Sequence, residues 1–289
     1  LLMAPVLEIK NLRKEYKDFA LDGISFSLEK GYIMGFIGPN GAGKSTTIKL
    51  ILNLIKKDSG EIKIFGLDNL AYETEVKNRI GFVLDEAFYY EMLTVKEMKN
   101  IIAPHYKNWD EGLFSLYIKR FELPLDKKIK DLSKGMKMKF SLAIALSHHA
   151  ELLLMDEPTS GLDPVIRSEL LDILSELMES EDLSIFFSTH ITSDLDKIAD
   201  YIVFIDNGKI VLDKAKDDIL ENYGIVKGPK GLIDKNDPMF IGYRENSFGF
   251  EALVEDKNRL KMFAPDKIII EKPTLEDIMV FYTRRNGNA

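Results

Sequence analysis

The segment Gly38–Thr46, GPNGAGKST, puts three glycines, a lysine and two adjacent hydroxyls into nine residues between an apolar run, YIMGFI, and a helix-period run, TTIKLILNLI. Strand, glycine-rich loop and helix in that order form a phosphate cradle. Gly38, Gly41 and Gly43 let the backbone come close, so that the consecutive N–H groups of Pro39 to Thr46, Pro39 itself excepted, can surround an anion at a helix N-terminus. Pro39, Asn40 and Ala42 fill the loop between the glycines. Lys44 can reach β- and γ-phosphates, the Ser45 hydroxyl suits Mg2+, and Thr46 can touch an α-phosphate. Nucleotide binding follows, with Mg2+ as the expected ion. The cradle alone is common to GTPases, kinases, helicases and transporters, so other residues must decide the reaction.

LLLMDEP ends an apolar run on Asp156 and Glu157. Two adjacent carboxylates at the end of a buried strand are costly unless a cation or substrate uses them. Asp156 is expected as a direct or second-sphere Mg2+ ligand. Glu157 is expected to orient and polarise a water for in-line attack on the γ-phosphorus. SIFFSTH ends a further apolar run on His190, which could donate to the γ-phosphate and hold Glu157 or the water; by itself such a histidine is more often structural, and only its order after the other motifs favours the functional role. His105, His148 and His149 have no comparable context. The adjacent pair, read as helix neighbours facing different sides, cannot readily share a metal. DLSKGMKMK precedes another helix-period run, FSLAIALSHH, so Ser133 is expected as an N-cap, and its hydroxyl with the amides around Gly135 as an anion site. One chain with one complete cradle would use this half-site on a second molecule.

These residues need a layered scaffold. From Val6 to about Glu221 short β-rich runs (VLEI, ISFSLE, YIMGFIG, EIKIFG, IGFVL, LLLMD, SIFFSTH) alternate with helix-period runs, the pattern of an α/β domain with a mixed sheet. YIVFIDNGKIVLD predicts a hairpin, because Asn207 and Gly208 can both take positive φ. Phe88 to Phe121 is mainly helical, with Trp109 and Asp110 near a helix start. After Tyr223 and Gly224 a loop-rich stretch, GPKGLIDKND, leads to MFIGYRE, FEALVED, RLKMF and DKIIIE, each with strand-like alternation. A helix from about Thr274 closes the sequence.

GPNGAGKST, LSKGM, LLLMDEPTSGLDP and STH, in this order over about three quarters of the chain, resemble the ATP-binding subunits of ABC transporters. The resemblance implies a P-loop NTPase core with a mixed sheet, an antiparallel β subdomain and a helical subdomain (about 88–135) within residues 6–222. A small α+β accessory domain would occupy 223–289. It further implies that Ser133 and Gly135 bind the γ-phosphate held by a partner's P-loop, in a homodimer or heterodimer of ATP-binding subunits. Ser160 to Asp163 resemble the D-loop at that dimer interface, and Tyr16, upstream of the first hairpin, matches the position that stacks on adenine. A separate membrane permease, a place at the cytoplasmic face of the membrane and ATP hydrolysis coupled to transport complete the expectation.

Two departures stand out. Asp85, with Glu86 beside it, occupies the Q-loop glutamine position, where a carboxylate about 5 Å from a triphosphate would cost roughly 3 kcal/mol unless Mg2+ lay between them. Asp85 is therefore expected as a metal contact. LSKGM replaces LSGGQ, so Lys134 and Met136 stand for a glycine and a glutamine, with Lys134 able to attract ATP or to hinder closure. These features and the ending KPTLEDIMVFY resemble exporter subunits of the bacitracin and lantibiotic type. EAFYYEMLTVKEM is then the expected docking segment for the permease, Phe88 and Tyr89 included.

Composition narrows the field in the same direction. The 289 residues are 45% hydrophobic and 30% charged, as in an ordinary globular protein. The absence of cysteine removes disulfides, thiolate metal sites and cysteine nucleophiles. A net charge of −8 argues against wide contact with nucleic-acid backbones. An ABC-type ATPase of translation or DNA repair, the alternative function, would bring a second P-loop with a basic linker or a long coiled coil, and the sequence has neither. No apolar run has the length of a transmembrane helix. LLMAPVLEI carries no basic leader or cleavage pattern, with Met3 as the expected start.

Overall fold

The computed structural model describes residues 4–85, 89–179, 182–234, 237–261 and 267–286. Glu86 and Phe88 of the expected docking segment, and Met3, lie outside them. The chain begins with β1 (Leu7–Glu15), β2 (Ala20–Leu28), β3 (Ile33–Ile37) and α1 (Lys44–Ile51), followed by β4 (Ser59–Ile64), β5 (Leu67–Asp68), α2 (Glu73–Arg79) and β6 (Ile80–Val83). Next come α3 (Val95–Ile102), α4 (Glu111–Arg120), α5 (Lys134–Leu146), β7 (Leu152–Asp156), α6 (Pro164–Leu177), β8 (Ser184–Thr189) and α7 (Thr192–Ile198). β9 (Tyr201–Asp206), β10 (Lys209–Ala215) and α8 (Lys216–Asn222) lead into β11 (Gly224–Gly228), β12 (Phe240–Glu245), β13 (Phe250–Val254), α9 (Lys257–Lys261), β14 (Ile269–Glu271) and α10 (Leu275–Asn286).

The central sheet runs in the order β10-β9-β3-β8-β7-β6, parallel from β6 to β9 with β10 antiparallel on its edge. Every residue of β3, β7 and β8 is buried, as expected of parallel strands covered on both faces. The period of two then divides their side chains. Met34, Phe36, Leu154 and Phe186 face the antiparallel sheet β2-β1-β4-β5, where Phe26, Phe36 and Phe186 cluster with ring centroids 5.1 to 5.7 Å apart. Ile37, Met155, Ile185 and Phe187 face the helices. The β9–β10 turn takes φ 45° at Asn207 and 72° at Gly208, as its sequence predicts.

α3 opens on a capping box in which Thr94 Oγ1 accepts from Glu97 N and Glu97 accepts from Thr94 N. Asp110 caps α4, consistent with the helix start expected there. A third sheet, β12-β13-β11-β14, is antiparallel throughout. One side of it forms its own cluster around Phe240, Phe250 and Val254. From the other side Ile225 and Leu253 join the main core, as do Leu275, Ile278 and Phe281 of α10, which packs on α7.

Several local expectations are corrected. The Arg259–Lys261 part of RLKMF is helix, in α9, because Asp256 Oδ1 accepts from Asn258 N and Arg259 N and so starts a turn. Strand β11, GIVKG, lies where the sequence suggested only a change of character. Tyr16 sits in the β1–β2 turn itself, its N–H donating to Phe19 O, and not upstream of the hairpin. His148 and His149 are not helix neighbours. α5 ends at Leu146 with Ser147 as its C-cap, and His149 adopts φ 58°. His148 is fully buried against the Tyr106 ring, centroids 3.8 Å apart, while His149 turns outward to Asp110.

Candidate functional site: a phosphate cradle at the carboxyl edge of the sheet

Parallel strands open their carboxyl ends on one edge, and here β3, β8, β7 and β6 deliver Gly38, His190, Glu157 and Asp85 in spatial order along it. The loop after β3 is built by close approach. A Cβ on Gly38 would lie 2.2 Å from Ile205 O, so only glycine brings this backbone against β9. Gly43 is the N-cap of α1 at φ 115°, and no side chain caps that helix. Its first amides are thus directed at whatever the loop encloses. Phe19, from the turn that carries Tyr16, lies against Gly43, so the adenine-stacking candidate and the cradle share one anchor. Tyr16 is half exposed, while Asn40, Gly41 and Ser45 are exposed and Ala42 and Lys44 are buried.

Lys44 Nζ donates to Gly38 O at 2.6 Å and Pro39 O at 3.2 Å and lies 3.2 Å from Glu157 Oε1. An ammonium has three donors, so two fix it on the loop and one points across it. The other carboxylate oxygen of Glu157, Oε2, lies 2.7 Å from His190 Nδ1 and accepts from His190 N at 3.3 Å. Lysine, glutamate and histidine, 146 positions from first to last in sequence numbering, therefore form one chain of contacts.

Glu157 is held in an uncommon backbone state. Its φ is 48°, in the left-handed region that costs a residue with a side chain about 1–3 kcal/mol. Its N–H donates to Ser188 O at 3.0 Å and to Ser188 Oγ at 3.2 Å, while Ser188 Oγ donates to Asp156 Oδ1 at 2.6 Å. Ser188 therefore positions both carboxylates, a role that only the polar end of SIFFSTH could have signalled. Asp156 and the Ser45 hydroxyl are hard oxygen donors of the kind Mg2+ takes, and Asp156 is 6% exposed, at the cost a buried carboxylate bears unless hydrogen-bonded or metal-bound. The donor set fits that ion.

A second group forms at α5. Ser133 caps it, accepting from Met136 N at 3.2 Å, and is exposed. Gly135 is required by packing as well: a Cβ there would lie 2.8 Å from Ile166 Cγ2 of α6. Asp163, at the end of the expected D-loop, caps α6 by accepting from Val165 N and Ile166 N. Lys134 Nζ pairs with Asp85 Oδ1 at 2.9 Å and lies over Gly161. The two departures from the family pattern thus meet each other across 49 positions of sequence, a pairing that no local pattern marks.

Residues 21–160 match the family model described as ABC transporter. The bacitracin transport ATP-binding protein BcrA of Bacillus licheniformis is 35% identical over 214 residues, 72% of this chain and 69% of that protein. The lantibiotic transport ATP-binding protein SrtF of Streptococcus pyogenes is 36% identical over 214 residues, 73% of this chain and 92% of the relative. A solved structure described as the ATP binding subunit of an ABC transporter superposes with a TM-score of 0.68 at 30% identity, covering 75% of this chain and 92% of its own. With a cradle of this geometry and relatives this similar over most of their length, the chain belongs to the ATP-binding proteins of ABC transporters, P-loop ATPases whose hydrolysis of ATP drives transport.

Proposed function

We propose that this ATPase works at the cytoplasmic face of a membrane as one half of a nucleotide-sandwich dimer, bound to a separate permease, and exports antimicrobial or similarly amphipathic peptides. The observation that carries the dimer is the contrast between a cradle complete within one chain and an α5 N-terminus whose cap, Ser133, is exposed. In the dimer Ser133 and Gly135 face the γ-phosphate held by the other subunit, and Ser160 to Asp163 run along the interface. Peptide export is supported by the likeness to proteins named for bacitracin and lantibiotic transport. Among the described residues no helix is long and apolar enough to cross a membrane, so the permease is a separate chain or segment. Residues 6–222 form the ATPase unit in this scheme and 223–289 an accessory unit.

The contacts of Lys44 suggest how binding prepares hydrolysis. A triphosphate in the loop competes with Glu157 for the third donor of Lys44, since it brings several negative charges where the carboxylate brings one. Glu157 Oε1 is then free to accept from a water, while Oε2 stays on His190. A neutral His190 ring that donates from Nδ1 leaves Nε2 bare, so a donor to the γ-phosphate at Nε2 requires the imidazolium. Mg2+ would be held by Ser45 and Asp156, with Asp85 as a further candidate, and would neutralise charge on the phosphates. Tyr16 stacks on adenine. If Asp85 contributes to the metal, Asp85→Asn weakens the Mg2+ dependence of ATPase activity; an unchanged metal titration assigns it to Lys134 alone.

Sedimentation of the Glu157→Gln chain with and without ATP and Mg2+ tests the scheme. An ATP-dependent dimer supports the shared site, whereas a monomer with tightly bound ATP overturns the homodimer and points to a different partner subunit.

A further inference from the structure

Asp194, on α7, is a carboxylate with no solvent exposure. Its Oδ2 accepts from Thr159 Oγ1 at 2.5 Å and its Oδ1 from Arg167 Nε at 2.5 Å, while Arg167 Nη2 donates to Ser193 Oγ at 2.6 Å. A buried charge is a liability against an apolar side chain of the same size, so stability alone does not account for Asp194. The elements it joins suggest what does. Thr159, 1% exposed, closes the turn that starts at Glu157, where Ser160 N donates to Glu157 O. α7 begins two residues after His190. Arg167 lies on α6, which Lys197 of α7 also grips through Asp172.

Glu157 is the strained member of the hydrolytic pair, and a left-handed residue persists only where its surroundings over-determine it. Ser188 fixes its amide from the side of β8. Without a second hold beyond Pro158, the turn could relax to an ordinary φ and swing the carboxylate off His190.

We propose that Asp194 is a positioning residue for ATP hydrolysis: through Thr159 it locks the Glu157 turn to the helix that follows His190, keeping carboxylate and imidazole in register. The proposal rests on the assignment of Glu157 and His190 as the hydrolytic pair. Asp194 touches neither substrate nor metal. Its loss lowers turnover and leaves ATP affinity alone.

The test is steady-state ATPase kinetics and thermal melting of the full chain with Thr159→Val, Thr159→Ser, Asp194→Leu and Arg167→Met. Thr159→Val and Asp194→Leu, neither of which leaves a partner for this bond, should each lower kcat roughly 30-fold with KM for ATP within about twofold, and the double variant should be little worse than either, because one link is cut twice. Thr159→Ser restores the hydroxyl and should recover kcat to within about threefold. Arg167→Met should lower the melting temperature yet keep kcat within about threefold, since the Thr159–Asp194 bond remains. Equal kcat losses in Arg167→Met and Thr159→Val, a Thr159→Val chain with full turnover, or a Thr159→Ser chain no better than Thr159→Val would overturn it. So would a chain that fails to fold with either Val or Ala at position 159 while Ser is stable and fully active, since the bond would then serve stability alone. Glu157→Gln, run alongside, separates the two levels. Full activity there removes the hydrolytic pair itself, whereas its inactivity beside an active Thr159→Val removes only the role of Asp194.

Discussion

The helices α1 and α5 both begin next to residues suited to bind phosphate, and they begin differently. At α1 the cap is a left-handed glycine with no side-chain bond, the following lysine is 5% exposed, and two loop carbonyls hold its ammonium. At α5 a serine satisfies an amide of its own helix, the following lysine is exposed and salt-bridged to Asp85, and the glycine after it is needed for contact with α6. The first terminus leaves its donors to a ligand enclosed by the same chain. The second is self-sufficient, so a ligand reaching it must come from outside and offer more than the serine already has.

Removing the lysine at α1 should therefore have the largest effect on nucleotide. Lys44→Ala is expected to weaken ATP binding by a lone chain roughly 100-fold in calorimetric titration, while Ser133→Ala leaves it within about twofold. Equal losses would erase the distinction. The far end of α5 gives the next largest effect, on stability. Burial pushes the pKa of His148 from 6.5 down to about 4, and neither ring nitrogen has a hydrogen-bond partner among the described residues. The unfolded chain binds the proton that the folded chain refuses, so stability falls as pH drops below 6.5 and levels off near 4, with about 2 kcal/mol lost by pH 5. His148→Phe, which keeps a ring against Tyr106, should abolish that part of the acid dependence in urea titrations at pH 7 and pH 5.

Gly135→Ala asks whether α5 is held by packing or by ligand. Its added methyl meets a branched carbon of Ile166 and should cost about 1–2 kcal/mol in thermal or urea unfolding without nucleotide. Stability unchanged within error would leave ligand contact as the sole reason for the glycine. The smallest effect belongs to the exposed ion pair. Asp85→Asn should change stability by about 0.5 kcal/mol or less, a melting shift near 1 °C that high salt removes. A larger shift would make the pair a structural clamp between β6 and α5.

What could be read from the sequence follows the same division. The cradle was legible because its parts are contiguous and flanked by the required strand and helix. Asp156, Glu157 and His190 were legible because each ends a fully buried run, and the parallel sheet brings such ends to one edge. The Asp85–Lys134 pair joins residues 49 apart, and the two bonds of Asp194 span 27 and 35 positions. No local pattern marks a partner chosen by tertiary packing. Strand β11 was hidden by a glycine at each end, and the start of α9 by an aspartate, Asp256, whose capping competes with strand-like alternation.

The seating of α10 has a consequence for how the molecule comes into being. Ile278 and Phe281, together with Tyr282 edge-on to Phe204 at 5.9 Å, cover a face of the ATPase core that α7 and β9 help to build. During synthesis that face stays uncovered until residues 275–286 have left the ribosome, long after the P-loop has been made. A nascent chain stalled before Leu275 would leave that face open and present a greasy surface to chaperones.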